Sequence, residues 1–156
     1  MGLPLWIAPL VGRSFNHITA GKIDQIPLFA GVDAMLRALR EYGVALSVAT
    51  SNAYENIRHV LTPEIADLMV RPQCSTSLFG KSTRVRNILR HTGVLPNKAI
   101  FIGDEIRDMD AAHDAGVHFG AVTWGYTSAD ARVERSPAEV FASVDEIVAK
   151  ITRPAS

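Results

Sequence analysis

The sequence predicts a doubly wound α/β fold, in which helices cover both faces of a mostly parallel sheet. From residue 28 onward, short apolar runs alternate with segments whose apolar residues recur at helical spacing. The runs are continuous rather than alternately apolar and polar, which is typical of parallel strands that are buried on both faces. With 156 residues, the chain is long enough for one such domain.

Five apolar runs are predicted to be strands. In chain order they are VALSVAT (44–50), CSTSLF (74–79), AIFIG (99–103), VHFGAVT (117–123) and VFAS (140–143). The predicted helices between them carry recognisable signals, and three of them end at a glycine: Gly43, Gly93 and Gly116. Two others begin with a capping-box pattern: Asn52 with Glu55, and Ser143 with Glu146.

The first 27 residues are predicted to form a separate N-terminal helix, ahead of a core domain at 28–156. Pro4 is suited to the first turn of a helix, and Leu5, Trp6 and Phe15 would lie along it. These apolar side chains would need cover, which favours self-association, for example as a homodimer.

The overall composition excludes several classes of partner. Sixteen Lys and Arg balance sixteen Asp and Glu, so net charge gives no reason to expect nucleic acid or an anionic membrane as a partner. The apolar start of the chain has no basic residues before it and is too short to span a bilayer. Cys74 is the only cysteine and cannot form an internal disulfide, which fits a reducing cytoplasm.

Polar side chains follow three of the predicted strands at the point where each strand ends. They are Thr50 with Ser51, Lys81, and Asp104 with Glu105. Ligands of open parallel sheets bind beyond the carboxyl ends of the strands. A hydroxyl, an ammonium and carboxylates at one rim suit a phosphate held beside a divalent metal such as Mg²⁺. Asp108 lies one helical turn after Asp104, so both carboxylates can face the same side.

Each of these residues also has a structural interpretation. Acidic residues in a first helical turn are favoured by the helix dipole alone, and Thr50 and Ser51 can serve as helix caps. Lys81 can be a solvated lysine, although the preceding Gly80 favours a side chain directed into the cleft. The P-loop interpretation of FGKST fails, because that motif requires a glycine where Ser75 stands.

The stretches VATSN, FGKS and FIGDEIRD, in this order and on these elements, resemble motifs II, III and IV of the haloacid dehalogenase (HAD) superfamily of phosphohydrolases. The resemblance is to its phosphoglycolate-phosphatase-like branch, and it covers residues 26 to 152. It implies a Rossmann-like core, Mg²⁺ as cofactor and a small phosphate monoester as substrate. The reaction of the family begins when an aspartate attacks the phosphate, and water then hydrolyses the aspartyl-phosphate, with a second aspartate as acid and base.

The resemblance also implies a role for each residue of the site. Thr50 would hydrogen-bond the transferring phosphoryl group and Lys81 would neutralise it, which makes both catalytic. The substrate-binding residues would be Ser51, Asn52 and Gly80. The metal ligands would be Asp104, Glu105 and Asp108.

One motif of the family has no counterpart in the sequence. The motif DxDGT carries both catalytic aspartates on the first strand, whereas this sequence has no aspartate before Asp24. Whether the chain is an enzyme is therefore open. It is expected to be a truncated HAD-like hydrolase, or alternatively an inactive remnant that binds phosphate or metal. A receiver-type signalling domain is disfavoured, because Thr50 and Lys81 precede the acidic pair.

The missing motif also has a consequence for the sheet. In the family, the first-motif strand lies between the strands that end at Thr50 and Asp104, so its absence would leave two unpaired edges. The gap can close, or another segment or a second chain can fill it. LPLWIAPLV is the only spare apolar segment, but Pro9 cannot donate to a ladder in a central strand, and a helix is predicted there instead.

Overall fold

The structure is a computed structural model of the chain. It describes residues 5–7, 30–50, 58, 61–70, 73–74, 80–124 and 136–154. The backbone alone is described at residues 5–7, 50 and 73–74. Within these ranges the chain folds into seven strands and five α-helices.

The strands and helices follow one another in the order expected for an α/β fold. The strands are β1 (Leu5–Ile7), β2 (Leu46–Ser47), β3 (Ala49–Thr50), β4 (Gln73–Cys74), β5 (Ala99–Gly103), β6 (His118–Val122) and β7 (Glu139–Phe141). The helices are α1 (Val32–Glu41), α2 (Pro63–Ala66), α3 (Lys81–Thr92), α4 (Ile106–Ala115) and α5 (Val144–Ile151), and a 3-10 turn covers Pro96–Lys98.

The main sheet has five strands in the order β2-β1-β5-β6-β7, and every neighbouring pair is parallel. A second parallel sheet consists of β3 and β4. The chain passes from the main sheet to the second sheet within one short segment, since β3 starts two residues after β2 ends. The carboxyl ends of parallel strands meet at one edge of their sheet, so the turn that follows β5 lies at the carboxyl edge of the main sheet.

Strand β5 shows why both faces of the sheet are covered. Ile100 and Ile102 pack into one apolar cluster, which contains residues of α1 and α5. Ala99 and Phe101 pack into another, which contains residues of α3 and α4. Successive side chains of a strand point to opposite faces, so a continuous apolar run is needed when both faces are buried. The predicted doubly wound α/β class is confirmed.

The helix signals of the described segments are also confirmed. Helices α3 and α4 end at Gly93 and Gly116, both in the left-handed conformation that favours glycine. Helix α5 begins after Ser143, whose Oγ accepts a hydrogen bond from the amide of Glu146 at 3.4 Å. The predicted cap at Asn52 lies outside the described residues, as does most of the predicted strand at 74–79.

The helix predicted for the N-terminal segment is wrong at residues 5–7. These residues form β1, which pairs with β2 on one side and with β5 on the other, in the central position that was expected to lack its family strand. Trp and Ile favour strands, and pairing makes the backbone hydrogen bonds that two open edges would leave unmade. Pro9 does not prevent this, because it comes two residues after the ladder ends at Ile7.

The rest of the predicted N-terminal helix lies outside the described residues, and the domain boundary at residue 27 stays a prediction. A helix long and apolar enough to cross a membrane is not found in the part of the chain that the structure describes.

Candidate active site

The candidate site begins where β5 ends. The buried strand stops at Gly103, Asp104 and Glu105 form the turn, and α4 starts at Ile106. Asp104 and Glu105 are both partly buried, so each retains access to solvent. The acidic residues after a buried apolar strand therefore lie at the carboxyl end of the sheet, which is where a ligand is expected.

Asp108 is the most deeply buried carboxylate of the described residues, with 1% of its surface exposed. It is the third residue of α4, and its Oδ2 accepts a hydrogen bond from the amide of Glu105 at 3.2 Å. This is the reciprocal bond of a capping box, which satisfies an amide at the helix start. The carboxylate is thus held by its own helix and turned toward the interior.

Lys81 pairs with this carboxylate from a different element. It is the first residue of α3, and its ammonium donates to Oδ1 of Asp108. The Lys81 side chain is mostly buried, with 19% of its surface exposed. Gly80 precedes it in the left-handed conformation, with φ of 85°, which turns the chain into the helix. The ion pair therefore ties the start of α3 to the start of α4.

The environment of Asp108 shifts its protonation. Burial raises the pKa of the Asp108 carboxyl above its ordinary value, because the charged form loses its hydration. The ammonium of Lys81 acts in the opposite direction, and the nearby carboxylates Glu105 and Asp104 add to the rise. Burial and the neighbouring carboxylates therefore disfavour the ionised form of Asp108, and the Lys81 ammonium favours it.

Gly103 has no side chain at the place where Asp108 lies. A Cβ atom built on Gly103 would be 2.5 Å from Oδ2 and 2.6 Å from Cβ of Asp108. Sequence reasoning left this residue out of the site. The signal that could have identified it is a glycine at the end of an otherwise apolar strand, because such a glycine often marks the close approach of another group.

Two basic residues near the site were also not predicted from the sequence. Arg107 donates to Glu105 Oε2 at 2.8 Å and is mostly exposed. Arg84 lies one turn after Lys81 and is buried on the side of α3 that carries Val85 and Ile88. The only signal for Arg84 was its place within the apolar stripe of the helix.

The three predicted metal ligands make different contacts. Both oxygens of Asp108 are engaged, one by Lys81 and one by the amide of Glu105. Glu105 itself is paired with Arg107. Among the residues that the structure describes, no group of three or more His, Cys, Asp or Glu side chains could hold a metal ion. The described side chains therefore do not complete a Mg²⁺ site by themselves, and the three ligand assignments stay predictions.

The remaining predicted site residues are described in part. Thr50 is the last residue of β3, and its backbone pairs with Cys74 of β4. Helix α3, which starts at Lys81, packs against both of these strands. Ser51 and Asn52 lie outside the described residues. Helix α3, which carries Lys81, thus contacts both β3 with Thr50 and α4 with Asp108, while the role of each residue stays a prediction.

Comparison with known proteins gives a consistent result. The family profile named haloacid dehalogenase-like hydrolase matches residues 8–122. A phosphoglycolate phosphatase of Synechococcus elongatus is 27% identical over 153 residues, which cover 97% of this chain and 72% of that protein. A tyrosine-protein kinase, PtkA of Mycobacterium tuberculosis, is 31% identical over 126 residues, which cover 77% of this chain and 43% of that protein.

Solved structures share the fold. A predicted phosphatase from Clostridium acetobutylicum superposes with a TM-score of 0.76 at 26% identity, over 85% of this chain and 63% of that one. A haloacid dehalogenase-like hydrolase from Streptococcus pneumoniae gives a TM-score of 0.80 at 16% identity, over 96% and 98% of the two chains. The latter likeness concerns the fold alone. Since the family profile covers most of the sequence and the acidic turn, this chain belongs to the haloacid dehalogenase-like hydrolase family.

Proposed function

We propose that this chain binds the phosphoryl group of a small phosphate monoester at the carboxyl end of β5, in a phosphohydrolase site. The observation that carries the proposal is the ion pair between Lys81 and the buried Asp108. The ion pair already holds the Lys81 ammonium beside the acidic turn. Little side-chain freedom of Lys81 would therefore be lost when a ligand binds. A fixed cation is the group that offsets the charge of phosphoryl oxygens most effectively.

The other predicted residues would complete the phosphoryl contacts. Thr50 would donate its hydroxyl to a phosphoryl oxygen, and the packing of α3 on the strand that ends at Thr50 supports this role. Ser51, Asn52 and Gly80 are proposed to bind the substrate. Asp108 would act through Lys81 rather than on the substrate, because both of its oxygens are already engaged.

Hydrolysis by the route of the family requires an aspartate nucleophile. Its carboxylate oxygen forms a bond to phosphorus while the ester O–P bond breaks, and the alcohol leaves with a proton that the second aspartate of the family's first motif donates. Water then cleaves the aspartyl-phosphate to inorganic phosphate and restores the carboxylate. In this scheme Lys81 would offset the charge on the phosphoryl oxygens during both steps.

A second candidate function is phosphate binding without turnover. The central strand β1 is followed in the sequence by Ala8, Pro9 and Leu10, none of which carries a carboxylate. In the family, the strand at this central position supplies the nucleophile. The absence of a carboxylate from the sequence of β1 and of the three residues after it therefore favours a binding module over an enzyme.

Magnesium is proposed as the cofactor, because the family to which the chain belongs is Mg²⁺-dependent as a rule. Asp104 is the proposed ligand from this chain, since a partly buried carboxylate at a strand end is a suitable hard oxygen donor. A Mg²⁺ ion would need further oxygen ligands beyond those of the described residues. Titration of Mg²⁺ into the wild type and into Asp104→Asn tests the assignment by the heat of binding.

Phosphoglycolate is one proposed substrate, because relatives named phosphoglycolate phosphatase match most of the chain. Location in the cytoplasm and a homodimer also stay proposals. The reason to expect a homodimer is weaker than the sequence suggested, because Leu5 and Trp6 belong to a strand that is paired on both edges.

Two measurements on the same preparations test the proposal. The first is hydrolysis of p-nitrophenyl phosphate with Mg²⁺, and the second is calorimetric titration with inorganic phosphate. Lys81→Met is expected to weaken phosphate binding about tenfold or more, since it removes a charge-assisted contact worth roughly 1.5–3 kcal/mol. The matched control is Lys98→Met, because Lys98 is an exposed lysine in the 3-10 turn.

The outcomes separate the candidates. Turnover by the wild type that Lys81→Met abolishes would establish the hydrolase. Binding that depends on Lys81 without any turnover would establish the binding module. A wild type that does not bind phosphate, or that binds it equally well after Lys81→Met, would overturn the proposal.

A further inference from the structure

We propose that Gly103 is a positioning residue of the phosphate site. The absence of a side chain at the end of β5 leaves the space in which the Asp108 carboxylate lies, and through Asp108 it sets the place of the Lys81 ammonium. The inference rests on the proposed function only where it links Lys81 to phosphate.

The distances show how closely Asp108 approaches the strand. The three atoms nearest to a Cβ built on Gly103 all belong to Asp108: Oδ2 at 2.5 Å, Cβ at 2.6 Å and Cγ at 2.8 Å. Non-bonded carbon atoms pack at about 3.5–4.0 Å, so none of these distances is tolerated. The overlap involves the base and the carboxylate of a buried side chain, which has little room to turn away.

The requirement for glycine at this position is steric rather than conformational. Gly103 is not among the glycines with positive φ, so its backbone suits any residue. Gly80 is the opposite case, with φ of 85° and no atom within 4 Å of an added Cβ. Gly80 therefore serves the turn, whereas Gly103 serves the approach of one particular side chain.

A methyl group at Gly103 would act on both contacts of Asp108. Displacing the carboxylate stretches the bond from Oδ2 to the amide of Glu105, and it separates Oδ1 from Lys81. Lys81 would then lose the anchor that holds its ammonium at the start of α3. The expected consequence of Gly103→Ala is a weaker phosphate site, in addition to any loss of stability.

The chain offers a matched control for the steric overlap. Gly120 lies in the neighbouring strand β6, and an added Cβ there would be 2.6 Å from Cε2 of Phe141. This overlap is nearly as close as the one at Gly103, but its partner is an apolar core residue rather than Asp108. Gly120→Ala is expected to reduce stability and to leave the contacts of Lys81 intact.

The experiment compares Gly103→Ala, Gly120→Ala and the double variant Gly103→Ala/Asp108→Gly in the full chain. The first readout is the side-chain ammonium resonance of Lys81 by ¹⁵N NMR, assigned by its loss in Lys81→Met. A buried, paired ammonium exchanges slowly enough to be seen, and an unpaired solvated one does not. The second readout is the Kd for inorganic phosphate, and the third is urea-induced unfolding.

Gly103→Ala is expected to lose the Lys81 resonance and to bind phosphate about tenfold more weakly, a change of about 1.4 kcal/mol. Gly120→Ala is expected to keep both. The double variant removes all three overlapping atoms of Asp108, so it should unfold at a higher urea concentration than Gly103→Ala while its phosphate affinity stays low.

Each outcome either supports or overturns the positioning role of Gly103. Retention of the Lys81 resonance in Gly103→Ala would overturn it, as would loss of the resonance to the same degree in Gly120→Ala. If Gly103→Ala does not fold, recovery of folding in the double variant supports the steric relation, and failure to recover refutes it. If the wild type binds no phosphate, the proposed function fails, but the resonance and the unfolding data still test Gly103.

Discussion

Replacing Lys81 with methionine should destabilise the protein through the charge that it leaves behind. Asp108 has 1% of its surface exposed, and its other oxygen accepts only a backbone amide among the contacts described for it. Without the ammonium, an ionised Asp108 would be a buried charge without its cation. The methionine keeps much of the length and apolar stem of lysine, so packing changes little.

The expected loss of unfolding free energy in Lys81→Met follows from the burial of the ion pair. Removing one partner of a buried ion pair costs about 3–5 kcal/mol. Lys81 is 19% exposed and Asp108 can take up a proton, so the lower end applies, about 3 kcal/mol at neutral pH. In a chain of 156 residues this corresponds to a fall in Tm of roughly 6–12 °C.

The loss of stability caused by Lys81→Met should grow as the pH rises. Burial raises the pKa of Asp108, and Lys81 opposes that rise, so the variant raises it further. A folded-state pKa above the unfolded value gives stability at low pH that is lost as the pH rises through the folded-state pKa. The difference in unfolding free energy between wild type and Lys81→Met should therefore be small near pH 4 and grow toward pH 7.

Urea unfolding followed by circular dichroism at several pH values measures these differences. Lys98→Met is the control, since substitution of an exposed lysine is expected to change stability by no more than about 0.5 kcal/mol. Adding Asp108→Asn to Lys81→Met should remove the pH dependence. A penalty that is the same at pH 4 and pH 7, or that equals that of Lys98→Met, would refute the assignment of the effect to a buried charge.

Three further predictions concern the packing and the helix ends, each measured by urea unfolding against the wild type. Phe101→Ala should cost about 3–5 kcal/mol, because Phe101 is fully buried and packs edge-on against Phe119 at 6.4 Å; a cost below 1 kcal/mol would contradict the core assignment. Ser143→Ala should cost about 1 kcal/mol, because the amide of Glu146 loses its acceptor, whereas Ser143→Asp should cost much less. Gly93→Ala should cost about 1 kcal/mol, because Gly93 has φ of 69° and an added Cβ meets no atom; a neutral effect would contradict the left-handed helix end.

Much of the fold could be predicted because its signals are local. The run 99–103 is a strand with the predicted bounds, since five consecutive apolar or small residues fit a strand buried on both faces. The glycines that end α3 and α4 mark positions where the left-handed conformation is required. These signals depend on residues within a few positions of each other, so one sequence suffices to read them.

The features that were missed depend on distant partners. The segment at residues 5–7 is too short to show a strand period, and its structure is decided by the edges of β2 and β5. The pairing of Lys81 with Asp108 joins residues 27 positions apart, so spacing suggested only that both lie at one rim. The importance of Gly103 arises from a distance to Asp108, which no sequence pattern contains.

The central place of β1 has a consequence for the order of folding. Ile7 pairs with Phe101, more than ninety positions away, whereas β5 and β6 are neighbours separated by a single helix. Contacts between distant segments form late, because closing a long loop costs entropy before any contact repays it. We therefore expect the N-terminal strand to be the last to join the sheet. Pulse-labelling hydrogen exchange during refolding would show protection of the amides of β5 and β6 before those of residues 5–7, and the reverse order would exclude this sequence of events.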